Sequence, residues 1–250
     1  GLFLIPGIID PQVHFREPGA DHKEDLHSGS CAAAAGGITS FLDMPNNNPP
    51  VTTIKRMAEK KQLAAEKSVV NYGFFIGATP DNLEELNAVE NVCGIKVFMG
   101  ASTGDLLVDD PDILESIFAN GTKLIAVHAE DESILQANSK LMNGIDDVRV
   151  HSRIRDESAA LSATKLAVRL SIKYLRRLHI LHLTTEEECD FLRTLPREHH
   201  ISTEVCPQHL VLTSPECYEH LGTKAQMNPP IRTKRHTVAL WQALKDGIID

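Results

Sequence analysis

Four residues able to bind a metal lie within or at the ends of short apolar runs. They are His14 after Ile8-Ile9-Asp10-Pro11-Gln12-Val13, Lys96 in Gly94-Ile95-Lys96-Val97-Phe98-Met99-Gly100, His128 closing Ile125-Ala126-Val127-His128, and His182 in Ile180-Leu181-His182-Leu183. Taken singly, a strand histidine is usually a satisfied polar residue or a surface one. Taken together, imidazoles fixed on rigid strands suit Zn²⁺. Lys96 is flanked by apolar residues, so it must snorkel, pair with an anion or be chemically altered. Arg16 follows His14 by two, which on a strand puts both on one side, and its guanidinium can hold a carboxylate bidentately. Asn46, in Met44-Pro45-Asn46-Asn47-Asn48-Pro49, and Asn228, in Met227-Asn228-Pro229-Pro230, read from the residues alone as turn positions. His199, His200, His220 and His236 lie in polar segments and are expected to be exposed. His22, His27 and His151 are left to surface or supporting roles.

Such residues need strands to carry them. Strand-like runs are expected at 8–15, 39–44, 69–76, 95–99, 124–128, 179–183 and 201–206, and the N-terminal run Gly1-Leu2-Phe3-Leu4-Ile5-Pro6 also reads as strand. Helix signals fall between them. Asp110-Pro111 and Thr79-Pro80 each pair an N-cap type with proline, Thr185-Glu186-Glu187-Glu188 is a capping box, and Asp156-Glu157 opens a segment with Leu161, Val168, Ile172 and Leu175 at helical spacing. This alternation predicts an α/β chain with a parallel sheet. A doubly wound open sheet would alternate in the same way, but it would spread His14, Lys96, His128 and His182 along an edge, whereas a barrel gathers strand ends at one mouth. No glycine fingerprint follows the first strand. The expectation is therefore a (β/α)8 TIM-like barrel, one domain over 1–250, cut short before strand eight.

Composition narrows the partners. The chain has 250 residues, 42% hydrophobic and 24% charged, with a net charge of −9 and no basic run, which argues against nucleic acid or an anionic membrane surface. Five scattered cysteines without a C-x-x-C pair suggest neither a disulfide framework nor a thiolate metal site, and fit a reducing cytoplasm. No apolar run reaches membrane-spanning length.

The stretch Pro6-Gly7-Ile8-Ile9-Asp10-Pro11-Gln12-Val13-His14-Phe15-Arg16-Glu17-Pro18-Gly19 resembles the first-strand signature of dihydroorotases and their cyclic amidohydrolase relatives. Lys96, His128 and His182 follow the family's order of ligands along strands four, five and six. The resemblance implies one or two Zn²⁺ ions, with His14 on the first, His128 and His182 on the second, and Lys96, carbamylated by CO2, bridging both. It further implies that Arg16 and Asn46 hold a substrate carboxylate and that Asn228 meets the substrate ring. Phe15-Arg16-Glu17-Pro18-Gly19 favours dihydroorotase over hydantoinases, dihydropyrimidinases and allantoinases, which generally lack or replace the arginine. The implied reaction is reversible cyclisation of N-carbamoyl-L-aspartate to L-dihydroorotate in pyrimidine biosynthesis, by a small-molecule enzyme expected to be a cytoplasmic homo-oligomer. Two features depart from the pattern. Gln12 stands where most relatives have the first histidine of His-x-His, a weaker neutral ligand, and Gln208 makes a similar change in Cys206-Pro207-Gln208-His209. The family's general acid/base aspartate belongs to strand eight, which is expected beyond Asp250, as in a piece of a longer protein without its flanking β-sandwich. Rival readings are a hydantoinase-like or allantoinase-like enzyme and a non-catalytic scaffold that has lost its metals.

Overall fold

Strand and helix alternate along the chain as the apolar runs require. The computed structural model describes residues 2–102, 106–196 and 200–250, so the expectations on Gly1 and His199 lie outside the described residues. Two compact units divide these residues: 2–97 with 106, and 98–102 with 107–196 and 200–250.

The first unit holds β1 (Ile8–Val13), α1 (Leu26–Ala35), β2 (Ile38–Asp43), α2 (Ile54–Lys67), β3 (Asn71–Gly77), α3 (Leu83–Ala88) and β4 (Gly94–Phe98), whose last residue groups with the second unit. Its strands are parallel and in chain order, with Ser40 opposite Asn71 and Gly77 opposite Lys96. Between β1 and β2 the register slips after Ile8 and again between Asp10 and Val13. The second slip spans Pro11, which has no N–H to give a ladder, and Gln12 lies within it. Phe41, Phe74, Ile76, Met44 and Met57 form the buried core. Gly29 lets α1 close on that core, since a Cβ there would come within 2.8 Å of the Phe15 ring.

The second unit holds α4 (Pro111–Ala119), β5 (Ile125–His128), α5 (Glu132–Leu141), α6 (Val150–Ile154), α7 (Glu157–Tyr174), β6 (Leu178–Ile180), α8 (Glu186–Arg193), β7 (Ile201–Thr203), α9 (Pro207–Val211), α10 (Glu216–Leu221) and α11 (Lys234–Lys245). Strands β5, β6 and β7 are parallel, with Val127 opposite Ile180 and Ile180 opposite Thr203. Asp110 with Pro111, Asp156 and the Thr185–Glu188 box cap their helices as expected. Past α11 the chain returns beside β7: Asp250 N–H donates to Thr203 O (3.2 Å), and Thr203 N–H donates to Asp250 Oδ2 (2.9 Å). An eighth strand is not among the described residues.

Three expectations need correction. Leu2–Ile5 form no strand and are exposed. Helix α3 begins at Leu83 rather than beside Pro80, because Asn82 turns its side chain to the Thr79 N–H and to the Gly77 and Thr52 carbonyls. Of the expected inner residues of α7, Val168 is buried, together with Ala159, Ala160, Ala163, Ala167 and Leu170, whereas Ile172 and Leu175 are exposed; small residues let the helix sit close, so much of its inner side carries no large apolar group.

Candidate functional site

In the first unit, His14 follows the last residue of β1, and Asn46 lies three past the end of β2. Their side chains meet at 2.6 Å, His14 Nδ1 to Asn46 Oδ1. An amide oxygen only accepts, so Nδ1 carries the proton and Nε2 keeps the lone pair. Burial of the ring pulls the His14 pKa down to about 3, partly offset by the Asn46 bond, and the charges of Lys96, Arg16 and Lys60 push the same way. A ring kept neutral in this way at physiological pH is competent to ligate. Those same charges place Lys96 and Arg16 within electrostatic reach of His14. Lys96 is 1% exposed in the middle of β4, so it does not snorkel. Gln12 has a buried Oε1 with no hydrogen-bond partner among the described residues, as a neutral cation ligand would.

Arg16 reaches this neighbourhood by a different route from the one its spacing suggested. β1 ends at Val13, so strand alternation no longer applies at His14 and Arg16. Instead the segment is a loop fastened by side chains: Arg16 N–H donates to Glu24 O (3.1 Å), and the buried Glu17 carboxylate accepts from Leu26 N–H (2.9 Å) and pairs with Lys67.

In the second unit, His128 ends β5 and His182 lies two residues past β6. Both rings are buried, edge to face, with His128 Nδ1 and His182 Nε2 3.1 Å apart. Two imidazole nitrogens on one tetrahedral Zn²⁺ lie roughly 3.3 Å apart, so the pair fits as two ligands of one ion. The other nitrogen of His128 is 2.7 Å from Glu130 Oε2, and that carboxylate also pairs with Arg155. A carboxylate behind a ligating imidazole fixes its tautomer and raises its basicity. Burial opposes ionisation of Glu130, yet the His128 bond and the charges of His128, Arg155 and Arg232 hold its pKa below the usual range. Gly100 permits this packing, because a Cβ there would lie 2.6 Å from the Glu130 carbonyl oxygen.

His182 has φ +40°, a left-handed conformation that costs a non-glycine residue of order 1–3 kcal/mol. It is held from both sides, Leu181 N–H donating to Val127 O (3.2 Å) and Leu183 N–H to Glu204 O (2.8 Å). No group of three or more His, Cys, Asp or Glu among the described residues could hold a metal ion. Two imidazoles fill only part of a metal ion's coordination shell.

Asn228 sits half-buried on the loop before α11, its Nδ2 3.5 Å from Ser102 Oγ. Below that loop, Cys217, Tyr218, Ala225 and Ile231 form a small apolar cluster. His151 is half-buried and bonds Met227 O (2.9 Å), and buried His209 bonds Pro229 O (3.1 Å), so both support the Asn228 loop. His22, His27, His200 and His220 are exposed. His236 is not: it is fully buried, accepting from Glu186 N–H (3.0 Å) and bonding Glu157 (3.0 Å). Its partners Glu186 and Glu157 lie far away in sequence, so the polarity of its own segment carries no sign of its burial. Glu130, Arg155 and Arg232 were not anticipated. Glu130 alone left a signal, as an acid two residues after a strand-ending histidine.

Residues 3–250 match the amidohydrolase family. The dihydroorotase of Methanosarcina mazei is 35% identical over all of this chain and 57% of its own length. The allantoinase of Streptomyces avermitilis is 34% identical over 99% of this chain and 57% of that protein. Among solved structures, L-hydantoinase (dihydropyrimidinase) from Arthrobacter aurescens superposes with a TM-score of 0.93 at 28% identity, over 98% of this chain and 56% of that one. The chain thus spans a little over half the length of the curated relatives it matches. Its seven alternating βα units are those of a TIM-like barrel, as the ligand order implied. With a match covering almost every residue, the chain belongs to the amidohydrolase family.

Proposed function

We propose that the protein is a dihydroorotase, which closes N-carbamoyl-L-aspartate to L-dihydroorotate, and reopens it, in pyrimidine biosynthesis. The observation that carries this reading is the placement of the Arg16 guanidinium within electrostatic reach of the buried, neutral His14 imidazole. Dihydroorotate carries a carboxylate that hydantoin lacks, and a guanidinium beside the reacting centre gives that carboxylate a bidentate partner. Two groups of dihydroorotase relatives and allantoinase relatives share similar identity with this chain, so the anchor rather than the overall likeness discriminates among cyclic amides.

His14, with Gln12 as a weak neutral donor and Lys96 as a carbamate, would hold metal in the first unit, and His128 and His182 would do so in the second. A bound divalent ion, zinc in this reading, supplies Lewis-acid activation of water and of the scissile amide carbonyl. Asn46 keeps the His14 lone pair on Nε2, and Glu130 does the equivalent for Nδ1 of His128. Arg16, with Asn46, orients the substrate carboxylate and Asn228 its ring, so that binding energy is used for alignment. Asp250 is engaged with Thr203 and is given no part. The reading includes a cytoplasmic setting and a homo-oligomer.

A second reading, a hydantoinase-like enzyme, is favoured by the 0.93 TM-score to L-hydantoinase. Metal content of the full-length protein, with assays on dihydroorotate and hydantoin, separates the possibilities. Bound metal and turnover of dihydroorotate are expected. Turnover of hydantoin alone would sink the dihydroorotase assignment, and absence of both metal and turnover would favour the scaffold.

A further inference from the structure

The loop that carries Arg16 lies beyond β1, where no ladder fixes it. An anchor on an unfixed loop loses affinity to the cost of ordering it and loses rate to misalignment. The bond from Arg16 N–H to Glu24 O holds the loop at one point, and the carbonyls on either side of Arg16 need partners of their own.

Asn47 spans that stretch. Its Nδ2 donates to Phe15 O (3.1 Å) and to Glu17 O (2.9 Å), the two carbonyls that flank Arg16. Its Oδ1 accepts from Lys60 Nζ at 2.7 Å. Lys60, from α2, is 1% exposed and also pairs with Asp43 Oδ2 (2.7 Å) and donates to Met44 O (3.1 Å). All three ammonium protons thus have acceptors. The Phe74 ring lies beneath the ammonium, its centroid 4.9 Å away. Asp43, fully buried, uses Oδ1 to accept from Phe15 N–H (3.0 Å). Lysine, aspartate and asparagine thereby tie the end of β1 to the end of β2 around Arg16, next to the Asn46 that holds His14.

A buried ion pair is a poor device for stability alone, because apolar residues of similar volume often do as well or better. Its value lies in fixing one arrangement. We infer that Asp43 and Lys60, acting through Asn47, form a positioning network that sets the Arg16 backbone for carboxylate binding. This rests on the reading of Arg16 as the substrate's carboxylate anchor.

The test uses the full-length, metal-loaded enzyme with dihydroorotate and compares Asn47→Ala, Arg16→Ala and the double variant. Loss of two backbone hydrogen bonds should raise KM about tenfold while leaving kcat nearly unchanged. The double variant should be no worse than Arg16→Ala alone, since the network is inferred to act on the substrate through Arg16. Should Arg16→Ala leave KM unaltered, the anchor reading itself is wrong. Should Arg16→Ala raise KM while Asn47→Ala does not, or should the two effects multiply, the anchor stands and the network is overturned. Lys60→Arg, which keeps a cation but not the three-way contact of the ammonium, takes the place of Asn47→Ala under the same criteria if that variant does not fold.

Discussion

His14 and His128 are both imidazoles with one nitrogen held by a side-chain oxygen, but the holders differ in charge. In the first unit the holder is the neutral Asn46 amide, with the Arg16 guanidinium within electrostatic reach of the ring. In the second the holder is the Glu130 carboxylate, shared with Arg155. An amide fixes a tautomer without adding negative charge, so it leaves the first region attractive to an anion. A carboxylate strengthens the imidazole as a metal donor. On the proposed function, this difference separates two tasks, with anion anchoring centred on His14 and Arg16 and metal holding strongest at His128 and His182.

The comparison can be broken at several points. The largest effect is expected from His182→Ala, which should abolish metal binding in the second region and reduce turnover by about a thousandfold, the equivalent of several kcal/mol of lost electrophilic stabilisation. Metal analysis and kinetics on the full-length enzyme would show it, and full metal occupancy would count against the second region as the stronger holder. Next is stability. Lys60→Met strands a buried aspartate and should cost about 3–5 kcal/mol in denaturant unfolding. No loss would mean that the pair relaxes to solvent.

Acidification should also act on the second region. Burial lowers the His209 pKa from 6.5 to about 4, so over that interval the unfolded chain binds a proton that the folded one does not. Its stabilising contribution is complete above pH 6.5 and declines as pH falls towards 4, by roughly 3 kcal/mol at most. His209→Gln should flatten that decline in urea melts taken from pH 7 to 4, and an unchanged slope would refute the assignment. The smallest effect sharpens the contrast of holders. Glu130→Gln should weaken metal affinity by about 10–100-fold, whereas Asn46→Ala should weaken it only several-fold, about the worth of one hydrogen bond. Equal losses would erase the distinction.

Much of this arrangement was legible in the residues. The seven strands were marked by apolar runs, and His14, Lys96, His128 and His182 stood out because polar groups interrupt those runs. Strand ends were less legible: β6 stops at Ile180, so His182 sits on strained backbone that no propensity signals. Partners distant in sequence were not legible at all. Lys60 reads as one more charge in a polar helix, and its burial follows from Asp43 and Asn47, which packing brings to it. His236 was misread for the same reason, since Glu157 is its partner across 79 positions.

The central claim is that the His14 region anchors a carboxylate, and it is tested most directly by substrate discrimination. The measurement is the ratio of kcat/KM for dihydroorotate to that for hydantoin, in the full-length enzyme and in Arg16→Ala. Removal of a charge-assisted bidentate contact should lower the ratio by about 30–100-fold, mainly through KM for dihydroorotate. An unchanged ratio in a folded, metal-loaded Arg16→Ala enzyme would contradict the account.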